Sequence, residues 1–529
     1  MDRDKIRLKD LRLGKTDAKN ELLQGTKEEI EFFENSFLMP ENVSIDDFTD
    51  RNIFFVTGMK GSGKTALLRY LELEIKKRNP NSSSSFILFK SQIDEEQRNQ
   101  FKIAANRFIV DKDSIEEKDV RRFEKVWEWF FYRQIIRMSN DGPYSFFECN
   151  QEWEDFLEVM QLPKESESVN WYTKLGIKIK HGNVDVKAAS AHLSMALGLE
   201  FDIEPGNGGS ISFSKLVAKA RDLFGKLSPT RFPLFLFVDE LEVTLSNTKQ
   251  YRRDVQLVRD LIIACTEINT RCLKLKYNIR IIAGIRNEVL SAMENIGYEL
   301  NKIIADFGRP LVWQRAGNDY PNHPLMALLV KRIQASEKAL GLTPTEDTDI
   351  WIKYFTPDVN TTPIQKYLIE QTWERPRDII RLLDISKKQF GNYQKFTQAV
   401  FEGIGKDYAR ESWIEISEEL SAVYRANEVN GIKELLMGIN SPFSYTEIKA
   451  IADMKSEYSK DIKSLLDKHS LADVLKKLYE VGIIGNDGKR VRFSFRGDEG
   501  LLLNLNMKIV NPLWKYLSIA PRPKEQVEI

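Results

Sequence analysis

The chain has 529 residues, 42% of them hydrophobic and 29% charged, a balance that suits several folded soluble domains and excludes a disordered polymer. Lys+Arg and Asp+Glu both number 78, so the net charge is zero and only a local basic face is left for nucleic acid. Three cysteines and four histidines, with no CxxC or HExxH spacing, leave no disulfide framework and no Cys/His metal site.

The opening residues Met1-Asp2-Arg3-Asp4-Lys5-Ile6 carry charges where a secretory signal needs an apolar run, and no apolar stretch is long enough to span a bilayer. A cytoplasmic protein without a membrane partner is expected. Residues 1–50 read as a helical preamble. Thr26-Lys27-Glu28-Glu29 has the pattern of a capping box and opens a helix through Phe32 and Phe33.

Next, Ile53-Phe54-Phe55-Val56-Thr57 is a short apolar run rich in β-formers. It leads directly into Gly58-Met59-Lys60-Gly61-Ser62-Gly63-Lys64-Thr65, and then into a helical pattern with Leu67, Leu68, Leu71 and Ile75 on one face. Strand, GxxxxGK(S/T) and helix in that order is the context a P-loop requires. Gly58, Gly61, Ser62 and Gly63 let the backbone curl so that successive N–H groups face a phosphate, and the helix N-terminus adds partial positive charge. Lys64 is placed to bridge the β- and γ-phosphates of ATP, and the Thr65 hydroxyl to ligate Mg2+.

A second core strand is expected over 85–90. The chain then takes a long way to its next motif, which implies an insertion at 95–204 inside an ATPase core of 51–320. Its first part reads as helical, crowded with aromatics from Trp127 to Tyr132. Its second part alternates around His181-Gly182-Asn183 like a hairpin. A partner surface and plain fold decoration both fit it.

Pro233-Leu234-Phe235-Leu236-Phe237-Val238 then reads as a buried parallel strand ending in Asp239-Glu240. Asp239 would hold the Mg2+ shell, and Glu240 beside it would polarise the attacking water. A further core strand ends at Arg286-Asn287, beyond whose carboxyl end a ligand would sit. Arg286 or Asn287 therefore reads as a γ-phosphate sensor, with Arg286 preferred, against a plain strand-to-helix turn with Asn287 as helix cap. A last strand over 310–313 closes the sheet. Asn207-Gly208-Gly209-Ser210 is a poor substitute for the LSGGQ-like signature an ABC-type ATPase needs, so that branch is set aside.

Residues 321–437 read as a helical lid. Within it Pro376 fits the first position of a helix, and Arg377 is placed as a second phosphate sensor or a surface base, with Arg375 the weaker candidate. Residues 438–529 read as a winged helix. A helix over 471–480 leads to an Asn486-Asp487-Gly488 turn and an exposed strand over 490–496. Lys476, Lys477, Lys489, Arg490, Arg492 and Arg496 are candidate DNA phosphate contacts, diluted by Asp473, Glu480, Asp487, Asp498 and Glu499.

These motifs together define an α/β chain: a P-loop NTPase parallel sheet with a helical and β insertion, a helical lid and a C-terminal winged helix. Gly58–Thr65, Asp239-Glu240, the strand ending at Arg286, Arg375-Pro376-Arg377-Asp378 and the winged helix resemble AAA+/STAND-like P-loop ATPases of the ASCE class. More narrowly, Leu13-Gly14-Lys15-Thr16-Asp17-Ala18 and Asn511-Pro512-Leu513-Trp514-Lys515-Tyr516-Leu517 resemble segments of the Sll1717-like group, often encoded near phage-defence genes. The resemblance implies a Mg2+-dependent ATPase working as a homo-oligomer or with a separate effector protein in a bacterial antiphage or stress-sensing complex. The alternative is a DNA-binding ATPase regulator or loader acting through the winged helix. The chain departs from the AAA+ pattern in its long insertion and in offering no evident arginine finger.

Overall fold

The computed structural model describes residues 6–89, 123–161, 209–241, 248–295, 300–315, 317–421, 423–497 and 500–518, with short strands at 179–180, 183–185 and 202–203. Nine strands run through the first three-fifths of the described chain. They are β1 (Phe55–Gly58), β2 (Ser83–Leu88), the insertion strands β3 (Ile179–Lys180), β4 (Asn183–Asp185), β5 (Asp202–Ile203) and β6 (Gly209–Ser212), then β7 (Leu234–Leu241), β8 (Ile279–Arg286) and β9 (Gly308–Pro310). Five of them make one parallel sheet in the order β2-β7-β8-β1-β9. The strand ending at Arg286 thus lies between the P-loop strand and the acid strand, and Gly58 pairs with Arg286 across the β1–β8 register.

A parallel sheet is buried on both faces, which is why β1 and β7 read as continuous apolar runs. On one face the helix Lys64–Arg78 turns Leu67, Leu68, Leu71 and Ile75 onto Phe235, Phe237 and Ile282. On the other face the aromatic run of the insertion fills the core: Trp127, Trp129, Phe131 and Tyr132 are buried with Phe213, Phe224 and Tyr277. Those aromatics therefore hold the sheet and are not a partner surface. Glu128 is buried among them and is charge-satisfied by Arg221 and Arg271. β3 and β4 pair antiparallel, as the alternation around His181-Gly182-Asn183 predicts. The expectation of helix over 95–122, and of hairpin continuation through 186–200, lies outside the described residues.

The lid comprises helices Pro324–Ala339, Asp347–Tyr354, Ile364–Glu370, Pro376–Phe390 and Gln398–Leu420, interrupted by a two-strand hairpin of β10 (Asp358–Val359) and β11 (Thr362–Pro363). Its core also takes in Ile6, Leu8, Leu11 and Leu13, so the N-terminal residues are part of the lid's packing. Thr26 caps its helix through the Glu29 N–H, but the Glu29 carboxylate turns to the Gln24 N–H, so the capping box forms only in half.

The C-terminal region has winged-helix topology. Helices Ala426–Leu436, Tyr445–Ser456, Lys460–Leu466 and Leu471–Glu480 pack against β12 (Ile484–Asp487), β13 (Val491–Arg492) and β14 (Asn506–Ile509), in sheet order β13-β12-β14. Phe443 extends that sheet by bridging Met507. The strand expected over 490–496 stops at Arg492. Phe493 and Phe495 turn inward and stack at 5.0 Å, and Ser494–Arg496 closes as a short 3-10 turn.

Two other strands are shifted by about one side-chain repeat, which alternation alone cannot fix where both faces are apolar. The strand expected over 85–90 is Ser83–Leu88, and that over 310–313 is Gly308–Pro310. No helix among the described residues is long and apolar enough to cross a membrane.

Candidate nucleotide site

The carboxyl ends of β1, β7 and β8 converge on a cavity of about 520 Å3. Its walls include Lys64, Thr65, Asp239, Glu240, Arg286 and Arg377, so the structure brings together residues that lie far apart in sequence. Gly61 and Gly63 adopt φ of +81° and +97°, a left-handed backbone that other residues rarely take, and this curls the loop. A side chain at Gly58 would also strike the Ser62 hydroxyl, at 2.6 Å. The helix starts at Lys64 directly after the loop with no side-chain cap at Gly63, which leaves its first N–H groups for an anion.

Lys64 is buried, and its ammonium donates to the carbonyls of Gly58 (2.7 Å) and Met59 (2.8 Å). Burial pushes its pKa down to about 8, against the opposing pull of Glu288 and Asp239. A buried ammonium that donates to neutral loop carbonyls is poised for a stronger anionic acceptor.

Asp239 is buried at the end of β7. Burial raises its pKa, although a hydrogen bond from the Thr65 hydroxyl opposes the shift. Among the described residues its Oδ2 atom has no hydrogen-bond partner. A hard divalent cation completes such a carboxylate, and Mg2+ takes only one or two protein ligands when phosphates and water supply the rest. Thr65 and Asp239 therefore fit Mg2+.

Glu240 has φ of +59°, at the register irregularity of β7 between Val238 and Leu241. A non-glycine residue held there stores backbone strain that the surrounding structure must enforce. Its carboxylate is paired at 3.0 Å with Lys19. That residue was invisible to motif reading, because it sits in an irregular stretch with no periodicity.

The lid grips the P-loop from above. Arg377, one residue into the helix Pro376–Phe390, packs on Gly61, donates to the Thr16 carbonyl (3.0 Å) and pairs with Glu415 (3.0 Å). Arg375 goes deeper. It is buried, donates to the Lys60 carbonyl (3.1 Å) and pairs with Asp378 (2.9 Å). The Lys60 ammonium reaches Glu418 (2.7 Å), and Trp313 donates to the Ser62 carbonyl (2.7 Å).

Two glutamates in this network are driven in opposite directions. Burial, with Glu288 adding repulsion, pushes Glu419 up to about 7. Glu415 is held well below the usual range because the Arg381, Arg375 and Arg377 guanidiniums outweigh its burial.

Comparison with known families follows this geometry. Residues 29–251 match the family described as ORC-CDC6-like. That span covers both Gly58–Thr65 and Asp239-Glu240, so both halves of the phosphate site fall within one matched domain. Residues 323–416 match the FunZ-associated C-terminal helical domain, which covers the lid and Arg377. No curated protein matches the chain. Among solved structures, Cdc6p from Pyrobaculum aerophilum aligns over 89% of this chain and 88% of its own, with 11% identity and a TM-score of 0.28. The Aeropyrum pernix Orc1 protein in complex with DNA aligns over 93% of this chain and 92% of its own, with 11% identity and a TM-score of 0.31.

Proposed function

We propose that this protein is a Mg2+-dependent ATP-binding and ATP-hydrolysing switch. The observation that carries the reading is the convergence of Lys64, Thr65, Asp239 and Glu240 on one cavity capped by Arg377. In the reaction, the loop N–H groups from Gly61 to Thr65 cradle the β-phosphate. Lys64 exchanges its two loop carbonyls for β- and γ-phosphate oxygens. Glu240 orients water in line with the γ-phosphorus and draws off its proton. Arg286 and Arg377 face the charge that develops on the γ-phosphoryl oxygens. Thr65 and Asp239 would hold Mg2+, whose charge would offset that of the phosphates.

The output follows the lid. Arg375 and Arg377 lie against the P-loop, and the next lid helix, Gln398–Leu420, packs its end into the winged-helix core, so nucleotide state would reach the C-terminal domain through packed elements. The resemblance to the Sll1717-like group supports placing this switch in a bacterial antiphage or stress-sensing complex, as a homo-oligomer or with a separate effector protein in the cytoplasm. Nucleotide-dependent capture of one partner protein from infected cells, lost in Lys64→Ala, tests that placement; capture unaffected by Lys64→Ala contradicts it.

The wing favours a second reading, a DNA-associated regulator. Lys489 and Arg490 are exposed at its tip. Three other expected phosphate contacts are engaged elsewhere: Arg496 pairs with Glu374, Lys477 with Glu480 and Lys476 with Asp473. Duplex binding that weakens steeply with salt and in Lys489→Ala/Arg490→Ala supports it, and absence of binding at low salt removes it.

A further inference from the structure

One wall of the cavity comes from neither the P-loop nor the acid strand. Residues 13–21 run from the lid to the acid strand. Arg332 of the lid donates to the Leu13 carbonyl (2.9 Å) and pairs with Glu21 (3.1 Å). Arg377 holds the Thr16 carbonyl (3.0 Å), and Glu21 accepts from the Lys15 N–H (3.2 Å). A short turn, Ala18–Asn20, is capped by the Asp17 carboxylate. That turn fixes Lys19, whose ammonium lies 3.0 Å from Glu240 and 3.7 Å from Asp17.

Lys19 shares the cavity with Lys64, Thr65 and Asp239. Its side chain is 39% exposed whereas that of Glu240 is 12% exposed. The partner that can move is therefore the lysine, a point charge on a flexible four-carbon stem. A terminal phosphate entering this cavity offers more charge and more acceptor oxygens than one carboxylate.

We propose that Lys19 senses the terminal phosphate. Without nucleotide it pairs with Glu240; with a nucleoside triphosphate it moves to the γ-phosphate and gives up that pairing. The release of Glu240 rests on the hydrolytic reading above, whereas the phosphate contact requires only that the cavity binds nucleotide. Arg377 ties the same segment to the lid, so the exchange also registers in lid position.

The test is a pair of titrations, MgADP and Mg-AMPPNP, on wild type, Lys19→Met and Lys19→Arg. Lys19→Met is expected to bind MgADP as wild type does and Mg-AMPPNP about tenfold more weakly, the loss of one charge-assisted contact. Lys19→Arg recovers most of the difference. Equal AMPPNP affinity in wild type and Lys19→Met overturns the proposal. Parallel loss of ADP and AMPPNP overturns it too, because the segment would then be only a structural strap. Turnover on the same proteins separates the two readings. A wild type that discriminates AMPPNP through Lys19 yet never hydrolyses ATP removes the catalytic role of Glu240 and keeps the phosphate contact.

Discussion

The indole of Trp373 donates its N–H to the carbonyl of Gly482 at 2.9 Å, joining the lid to the base of the wing. The next two residues continue the link in opposite directions. Glu374, itself at φ of +53°, pairs with Arg496 at 2.6 Å, and Arg375 reaches the P-loop at the Lys60 carbonyl. Three consecutive residues thus span the distance from phosphate loop to winged helix.

If this tripeptide carries nucleotide state, Arg496→Ala uncouples the two ends. ATP affinity is expected to stay within about twofold of wild type, since Arg496 lies outside the nucleotide cavity and distant sites perturb binding little. The ATP-induced change in hydrogen exchange across 471–510 is expected to shrink. An unchanged exchange response contradicts the coupling.

Gly482 is the tightest point of that link. At φ of +77°, an added Cβ would lie 2.9 Å from both Trp373 and Phe495 ring atoms. Gly482→Ala should destabilise the protein by about 1–3 kcal/mol through backbone strain and overpacking, read from urea unfolding. A loss within error would show that Trp373 can move aside.

The lysine of the P-loop gives a pH signature. Burial holds Lys64 at about 8, below its ordinary 10.5. The unfolded chain therefore binds more protons between those values, so Lys64's destabilising burial is fully felt below pH 8 and is relieved as pH rises towards 10.5. Phosphate beside Lys64 restores its charged form. ATP binding at pH 8.5 should accordingly take up a proton at this site, and binding at pH 6.5 should not. Calorimetry in buffers of different ionisation enthalpy reads the difference, and equal proton uptake at the two pH values contradicts it.

Much of this site was legible in the chain. The P-loop reads directly because glycine, lysine and threonine at fixed spacing follow a β-run, and Asp239-Glu240 reads as a strand end because both faces of β7 are apolar. Lys19 was not legible: a single lysine in an aperiodic segment has no pattern, and only the fold brings it to Glu240. Arg377 lines the cavity while Arg375 is buried against the loop, a difference in depth that their adjacent positions in sequence do not show. The wing strand over 490–496 was misread because alternation shows two faces but not which one a domain covers. Here Phe493 and Phe495 face the core and Arg496 meets Glu374.

Glu240→Gln separates binding from turnover. The substitution keeps the side chain's size and removes its ability to accept a proton. ATP affinity should be preserved while kcat falls by about 100- to 10,000-fold, the usual worth of a general base. Loss of ATP affinity in this variant would assign Glu240 to binding.

The most direct test is steady-state ATP hydrolysis with Mg2+ by wild type and Lys64→Ala, with and without duplex DNA. Wild-type turnover that requires Mg2+ and is abolished by Lys64→Ala is the expected result, and stimulation by DNA would make the winged helix its reader. Equal turnover by the two proteins would contradict the assignment of this cavity as the site of hydrolysis.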